Sequence, residues 1–147
     1  TTNGVNFYLT GVQLEVGSVA TEFEHRSLGQ ELALCQRYYY RWTAGATNKY
    51  AWMGQSFGSG ACFGIVRTLP VTMRTTPTSS VSGTYTPYGP DGSTSGHSSF
   101  SSTNMDQNNV NHLGTGGWGG ASGISGGDAV VVLASEAAAY IDASAEL

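Results

Sequence analysis

Charge is scarce in this chain. Only 11% of its 147 residues are Asp, Glu, Lys or Arg, ten acidic against six basic, for a formal net charge of -4. Six scattered cations give no clustered basic footprint, which excludes the electrostatic grip that nucleic-acid binding needs. Long apolar runs are missing too. The stretch Ala129 to Ala134 (AVVVLA) is far below the ~20 residues that cross a bilayer as a helix, so no membrane insertion is expected, and it reads as a buried strand. Cysteine is limited to Cys35 and Cys62, too few for a disulfide framework, and both read as small buried hydrophobes. There is no recognisable leader peptide and no initiating methionine, so the chain is expected to be a fragment whose first strand belongs to something upstream.

What is abundant is glycine, at 21 residues, with aromatics at 11%. Low charge with much Gly, Ser and Thr disfavours a helical protein and favours short strands joined by turns. Aromatics at that level also rule out ordinary disorder. From about Ser27 onward there is material for one domain. A surface this poor in charge can be kept soluble by covering much of it with sister subunits.

The stretch from Phe7 to Trp42 joins two kinds of structure. Phe7 and Leu9, then Val12, Leu14 and Val16, alternate as in a strand, and Gly11 sits where the phase slips, as a bulge requires. Ser27 with Gln30 three residues on is a capping-box signature for a helix start. Leu28, Leu32, Cys35, Tyr39 and Trp42 are spaced 4-3-4-3, which would line a coiled-coil seam if the helix ran that far. The competing reading ends the helix near Arg37 and makes Tyr38 to Trp42 a strand. Three consecutive tyrosines favour the strand on propensity. A short connector helix over about 27–37, packed near a symmetry axis, is therefore expected, with Tyr38, Tyr39, Tyr40 and Trp42 in core or interface.

Further on, Lys49 to Val66 suits one or two strands broken at Gly58–Gly60, with Phe57, Cys62 and Phe63 as core contacts. Pro70 and Pro77 bracket an edge-like piece, and Val81 to Tyr88 reads as another strand. Residues 89–93 (GPDGS) form a turn on chemistry alone. Phe100 and Met105 anchor a polar segment, and 108–113 alternates as a strand. Thr115 to Gly127 reads as a glycine-rich loop around Trp118, while 130–134 and 137–143 suggest a closing hairpin through Ser135-Glu136.

No constellation carries catalysis. Glu22, Glu24, Asp91, Asp106 and Asp128 include no pair singled out by spacing for glycan hydrolysis. His25, His97 and His112 lack ligand-like spacing, so neither a metal nor any cofactor is implied. Nor can a serine nucleophile with a partner base be nominated, so the chain is expected not to be an enzyme. Binding is the better case, because sugars are held by aromatic faces together with side-chain amides and hydroxyls. Tyr85, Tyr88, His97, Asn104 and Asp106 supply such groups, as do Asn109, Asn111, His112 and Trp118. All nine are glycan-contact candidates on a recognition loop. Against that stands the plain alternative that Trp118 and Tyr88 pack the core or a subunit interface and the asparagines only satisfy turns.

The segment TGVQLEVGSVATEFEHRSLGQELALCQRYYYRW, Thr10 to Trp42, resembles a linker of bacteriophage and prophage tail fibres, most closely up to Tyr40. In that family a pattern G-x-Q-L-E-x-G-x-x-A-T-x-F-E-x-R closes a carbohydrate-binding-like jelly roll, and E-L-x-x-C-Q-R-Y-Y opens a C-terminal tip domain. The stretch from Leu69 to Pro77 (LPVTMRTTP) is similar to the family's F-P-V-x-M-R-x-x-P turn, and the ending DASAEL to its D-A-E-L tails. Glu22 stands where the family often has proline, and the His-x-His metal motif of some fibre tips is absent. The resemblance implies an all-β, jelly-roll-type sandwich, trimeric, with residues 1–26 closing an upstream module and 27–147 forming the fibre tip. It further implies a virion protein that attaches to a host glycan or lipopolysaccharide and joins an upstream fibre segment. A structural trimerisation or fibre-capping module with no ligand is the alternative, and a glycan hydrolase a weaker third.

Overall fold

The computed structural model describes residues 8–146 except 59, 90, 91 and 94. Phe7, Asp91 and the last residue, Leu147, therefore lie outside the described residues, as does part of the expected 89–93 turn. One helix, α1 (Leu28–Gln36), precedes nine strands. They are β1 (Tyr39–Thr43), β2 (Lys49–Ser56), β3 (Cys62–Thr68), β4 (Thr78–Ser82), β5 (Tyr85–Tyr88), β6 (Ser102–Asn104), β7 (His112–Gly119), β8 (Ala129–Ala134) and β9 (Tyr140–Ser144).

The capping box forms as the sequence predicts. Gln30 N–H donates to Ser27 Oγ at 3.3 Å, and Ser27 N–H donates to Gln30 Oε1 at 2.9 Å. The helix stops at Gln36 and β1 takes over, so the 4-3-4-3 spacing is not one helical stripe. No residue of α1 is buried; Leu28 and Leu32 are 85% and 54% exposed.

Ahead of the helix the expected strand is absent. Val12, Leu14 and Val16 stand in solvent outside any strand, since no ladder partner runs beside them among the described residues. Short-range polar contacts hold the segment instead. Glu15 accepts Thr21 N–H at 2.6 Å and the Gln13 amide at 3.1 Å, and Gln13 in turn accepts Glu24 N–H at 2.8 Å. Three donors on Glu15, first the Thr21 hydroxyl, then the Thr21 N–H and Gln13, lower its pKa.

The strands make two antiparallel sheets, ordered β1-β9-β4 and β5-β8-β2-β3-β7-β6, packed as a sandwich. Alternation puts Tyr40, Trp42, Val81, Ile141 and Ala143 of the small sheet against Trp52, Cys62, Leu113, Val130 and Val132 of the large one. Trp118 sits in the middle, fully buried, with the rings of Tyr85, Trp52 and Phe100 edge-on at 4.9, 5.2 and 5.7 Å. Burying one such ring, about 200 Å² at ~25 cal/mol per Å², gives about 5 kcal/mol before entropy, and each edge contact about 1 kcal/mol more.

The last two strands do not form the expected hairpin. β8 belongs to the large sheet and β9 to the small one, so the link between them crosses the sandwich edge. The β4–β5 link crosses at the same corner. Ser135 N–H bonds Thr84 O at 2.8 Å, and a Cβ on Gly83 (φ +97°) would lie 2.6 Å from the Ala139 Cβ. Two crossing links pressed together leave room only for glycine at 83.

Candidate functional site

The nine sequence-predicted contacts do not gather in one place. Tyr85 is 1% exposed and its hydroxyl donates to Tyr140 O at 3.0 Å, while Trp118 is sealed in the core. Neither can offer a ring face to a ligand in this fold. The cause lies in the glycine-rich run, which is strand rather than loop up to Gly119. Its glycines permit another segment to lie directly on the strand. A Cβ on Gly114 would sit 2.5 Å from Gln107 O, and one on Gly116 2.0 Å from Asp106 Oδ1.

Asn109, Asn111 and His112 build the turn into β7. Asn109 Oδ1 accepts the Asn111 and His112 N–H groups at 2.8 and 3.1 Å, and Asn111 Oδ1 accepts the Thr72 hydroxyl at 2.8 Å. His97 Nδ1 lies 3.3 Å from Ser122 O, where two loops clasp through Ser98 and Ser122. Tyr88 is half-buried at the end of β5.

Asp106, with Asn104 bonded to it, lies over Gly116 at the edge of a cleft, and two phenylalanines expected in the core line that cleft. Phe57 and Phe63 are 47% and 42% exposed, with ring centroids 5.1 Å apart at 56°. Cys62 and Ser56 point inward, so their neighbours Phe63 and Phe57 must point outward from the β2–β3 hairpin. Phe57 N–H bonds Ala61 O at 3.0 Å and closes the hairpin. Together with Gln107, Thr115 and Gly116 the two rings line a shallow cleft of about 380 Å³. Asp106 lies over Gly116 at its edge, taking the Asn104 amide on Oδ2 at 3.1 Å and the Gln107 amide near Oδ1 at 3.5 Å.

Such a cleft can stack on the C–H face of a flat ring and accept its hydroxyl or amine protons. No alternation in 56–63 (SFGSGACF) marks the outward pair, because the segment turns between β2 and β3 and period two cannot in any case say which face is the core.

A second polar cluster crosses the outer face of the small sheet. Asp142, 8% exposed, takes Arg41 Nη2 at 2.7 Å and the Tyr39 hydroxyl at 3.1 Å on Oδ2. On Oδ1 it takes the Ser80 hydroxyl at 2.6 Å and the Ser80 N–H at 3.2 Å. Burial pushes this carboxyl up, but the bonds from Ser80, Arg41 and Tyr39 outweigh it and hold the pKa below the ordinary value. Burial and the same carboxylate raise the Tyr39 phenol. Arg41 stacks on the Tyr140 ring at 4.0 Å. Every first-choice acceptor position is filled from within, which marks a clamp across three strands.

A larger groove of about 640 Å³ runs between the exposed arm and α1, lined by Glu24, Arg26, Leu34, Arg37 and Val71 among others. No family model, curated protein or solved structure matches the chain.

Proposed function

We propose that this chain is the distal domain of a trimeric bacteriophage or prophage tail fibre, attaching the virion to its host through a surface glycan, without catalysis. The glycan reading is carried by one observation: an exposed phenylalanine pair beside an amide-bound carboxylate on a glycine floor. Placement on a virion rests on the resemblance of Thr10 to Tyr40 to fibre linkers. For a jelly-roll-type sandwich, support comes from the nested pairing of β1 with β9 and β2 with β8, and from β4 and β5 on the far sides of β9 and β8. Three clefts on one tip, and several tips per particle, raise a weak single-site affinity by avidity. Light scattering should give a trimer mass, and the trimer should bind host lipopolysaccharide or capsule glycans on an array; a monomer that binds none of them contradicts the proposal.

A second reading, a trimerising or capping module with no ligand, draws on a separate observation. Val12, Leu14, Val16, Leu28 and Leu32 are all more than half exposed, an apolar load that asks for cover from sister chains or an upstream segment. Deleting residues 1–26 and finding trimer lost while glycan binding per chain persists would assign assembly to the arm and attachment to the sandwich.

A further inference from the structure

We infer that the Phe57–Phe63 cleft selects a sugar bearing a free amino group, such as an unacetylated 2-amino-2-deoxy sugar, over neutral sugars, and rejects phosphorylated or uronic ones. This rests on the reading of the cleft as a glycan site. The first support is charge. Asp106 is not in the lining but lies over the lining Gly116, so its carboxylate stands at the cleft edge, and its bonded partners, Asn104 and Gln107, are neutral amides. No lining residue of the cleft is cationic.

The six basic residues all lie outside the lining of the cleft. Arg26 pairs with Glu24 and Glu31, Arg41 with Asp142, and Arg67 donates to Ala51 O at 2.8 Å beneath Trp42. Arg74 stacks over Tyr38 and Arg37 lines the arm groove. Lys49 opens β2 opposite Ala134, roughly 25 Å along the strand from Phe57 at ~3.3 Å per residue. An anionic sugar would therefore meet one carboxylate and no compensating cation.

The second support is the pair of rings. An aromatic face attracts an ammonium as well as a C–H surface, and a carboxylate has about four acceptor sites, of which two amides use two. The glycines matter as well, because any side chain at 116 would occupy the position of the carboxylate. An exposed ion pair combined with an exposed cation–π contact amounts to about a tenfold preference.

Isothermal titration at low salt with glucosamine oligomers, their N-acetylated forms, galacturonate oligomers and trilysine tests this. The wild-type protein should hold the amino oligomer about tenfold tighter than the acetylated one, with galacturonate undetected and trilysine weaker than either sugar. In Asp106→Asn, which keeps the shape and an acceptor for the Asn104 amide while giving up the longer Gln107 contact, the ratio should fall to about one while the acetylated sugar still binds. A ratio near one in the wild type, or a preference that survives Asp106→Asn, overturns the inference and leaves glycan attachment standing. Binding of trilysine as tight as the amino sugar overturns it in favour of a basic peptide. Binding of none of these, nor of any host glycan, removes the attachment reading together with it.

Discussion

Arg41 Nη2 lies 2.7 Å from Asp142 Oδ2, joining β1 to β9 on the face where Ser80 of β4 closes on the other carboxylate oxygen. One side chain thus ties all three strands of the small sheet. Asp142→Ala should cost about 2 kcal/mol, less than for a fully buried pair because Arg41 remains 44% exposed. Thermal melts of the two proteins at pH 7 check it.

The same residue sets a pH dependence. Its folded pKa is lowered, so its stabilisation is complete above the unfolded carboxylate range, near 4, and is lost as pH falls through the folded value. Melting temperature should drop below about pH 4 in the wild type, and Asp142→Asn should show a shallower drop over that acid range. Parallel curves would contradict the clamp.

Trp118→Ala should destabilise by about 3–5 kcal/mol, because the ring is fully buried against three aromatic neighbours. Chemical denaturation reads this directly. A variant that folds normally and loses only sugar binding would put Trp118 back among the contact residues.

The two cysteines should behave oppositely. Burial pushes the Cys62 thiol up to about 11, and it is fully enclosed, whereas Cys35 is exposed on α1. Iodoacetamide at pH 8 should modify Cys62 only after unfolding. Cys35 should react in any form whose helix is uncovered, so its protection in the proposed trimer, read by mass spectrometry, would place α1 at a subunit interface.

Gly83→Ala combines a left-handed backbone (φ +97°) with a contact 2.6 Å from the Ala139 Cβ, and should cost about 2 kcal/mol or more. A loss near zero in denaturant titration would mean that the two crossing links are not pressed together as described.

Legibility in the sequence followed the range of the forces. α1 was readable to within a residue because Ser27 and Gln30 are local partners, and β1 because three tyrosines resist a helix. Phe100 and Met105, the apolar anchors of their polar segment, pack in and against the core. Phe57 and Phe63 were read inward because local pattern cannot say which face is the core, and that choice came from strands distant in sequence. Trp118 was read as a loop residue because glycine normally weakens a strand. Here the glycines make room for Asp106 and Gln107, a contact no local pattern announces. The 130–143 stretch looked like a hairpin since turn chemistry is local, whereas the choice of sheet is not. Of the cleft, composition points to Asp106 at its edge and Asn104 bonded to it, and not to the phenylalanines that line it.

The most direct test is titration of host-cell polysaccharide into the wild-type protein and into a Phe57→Ala/Phe63→Ala double variant, with melting curves alongside. Because both rings are nearly half exposed, the variant should stay folded, while binding should weaken by at least about tenfold. Equal affinity in the two proteins, with both folded, would contradict the proposal that the cleft is a glycan site.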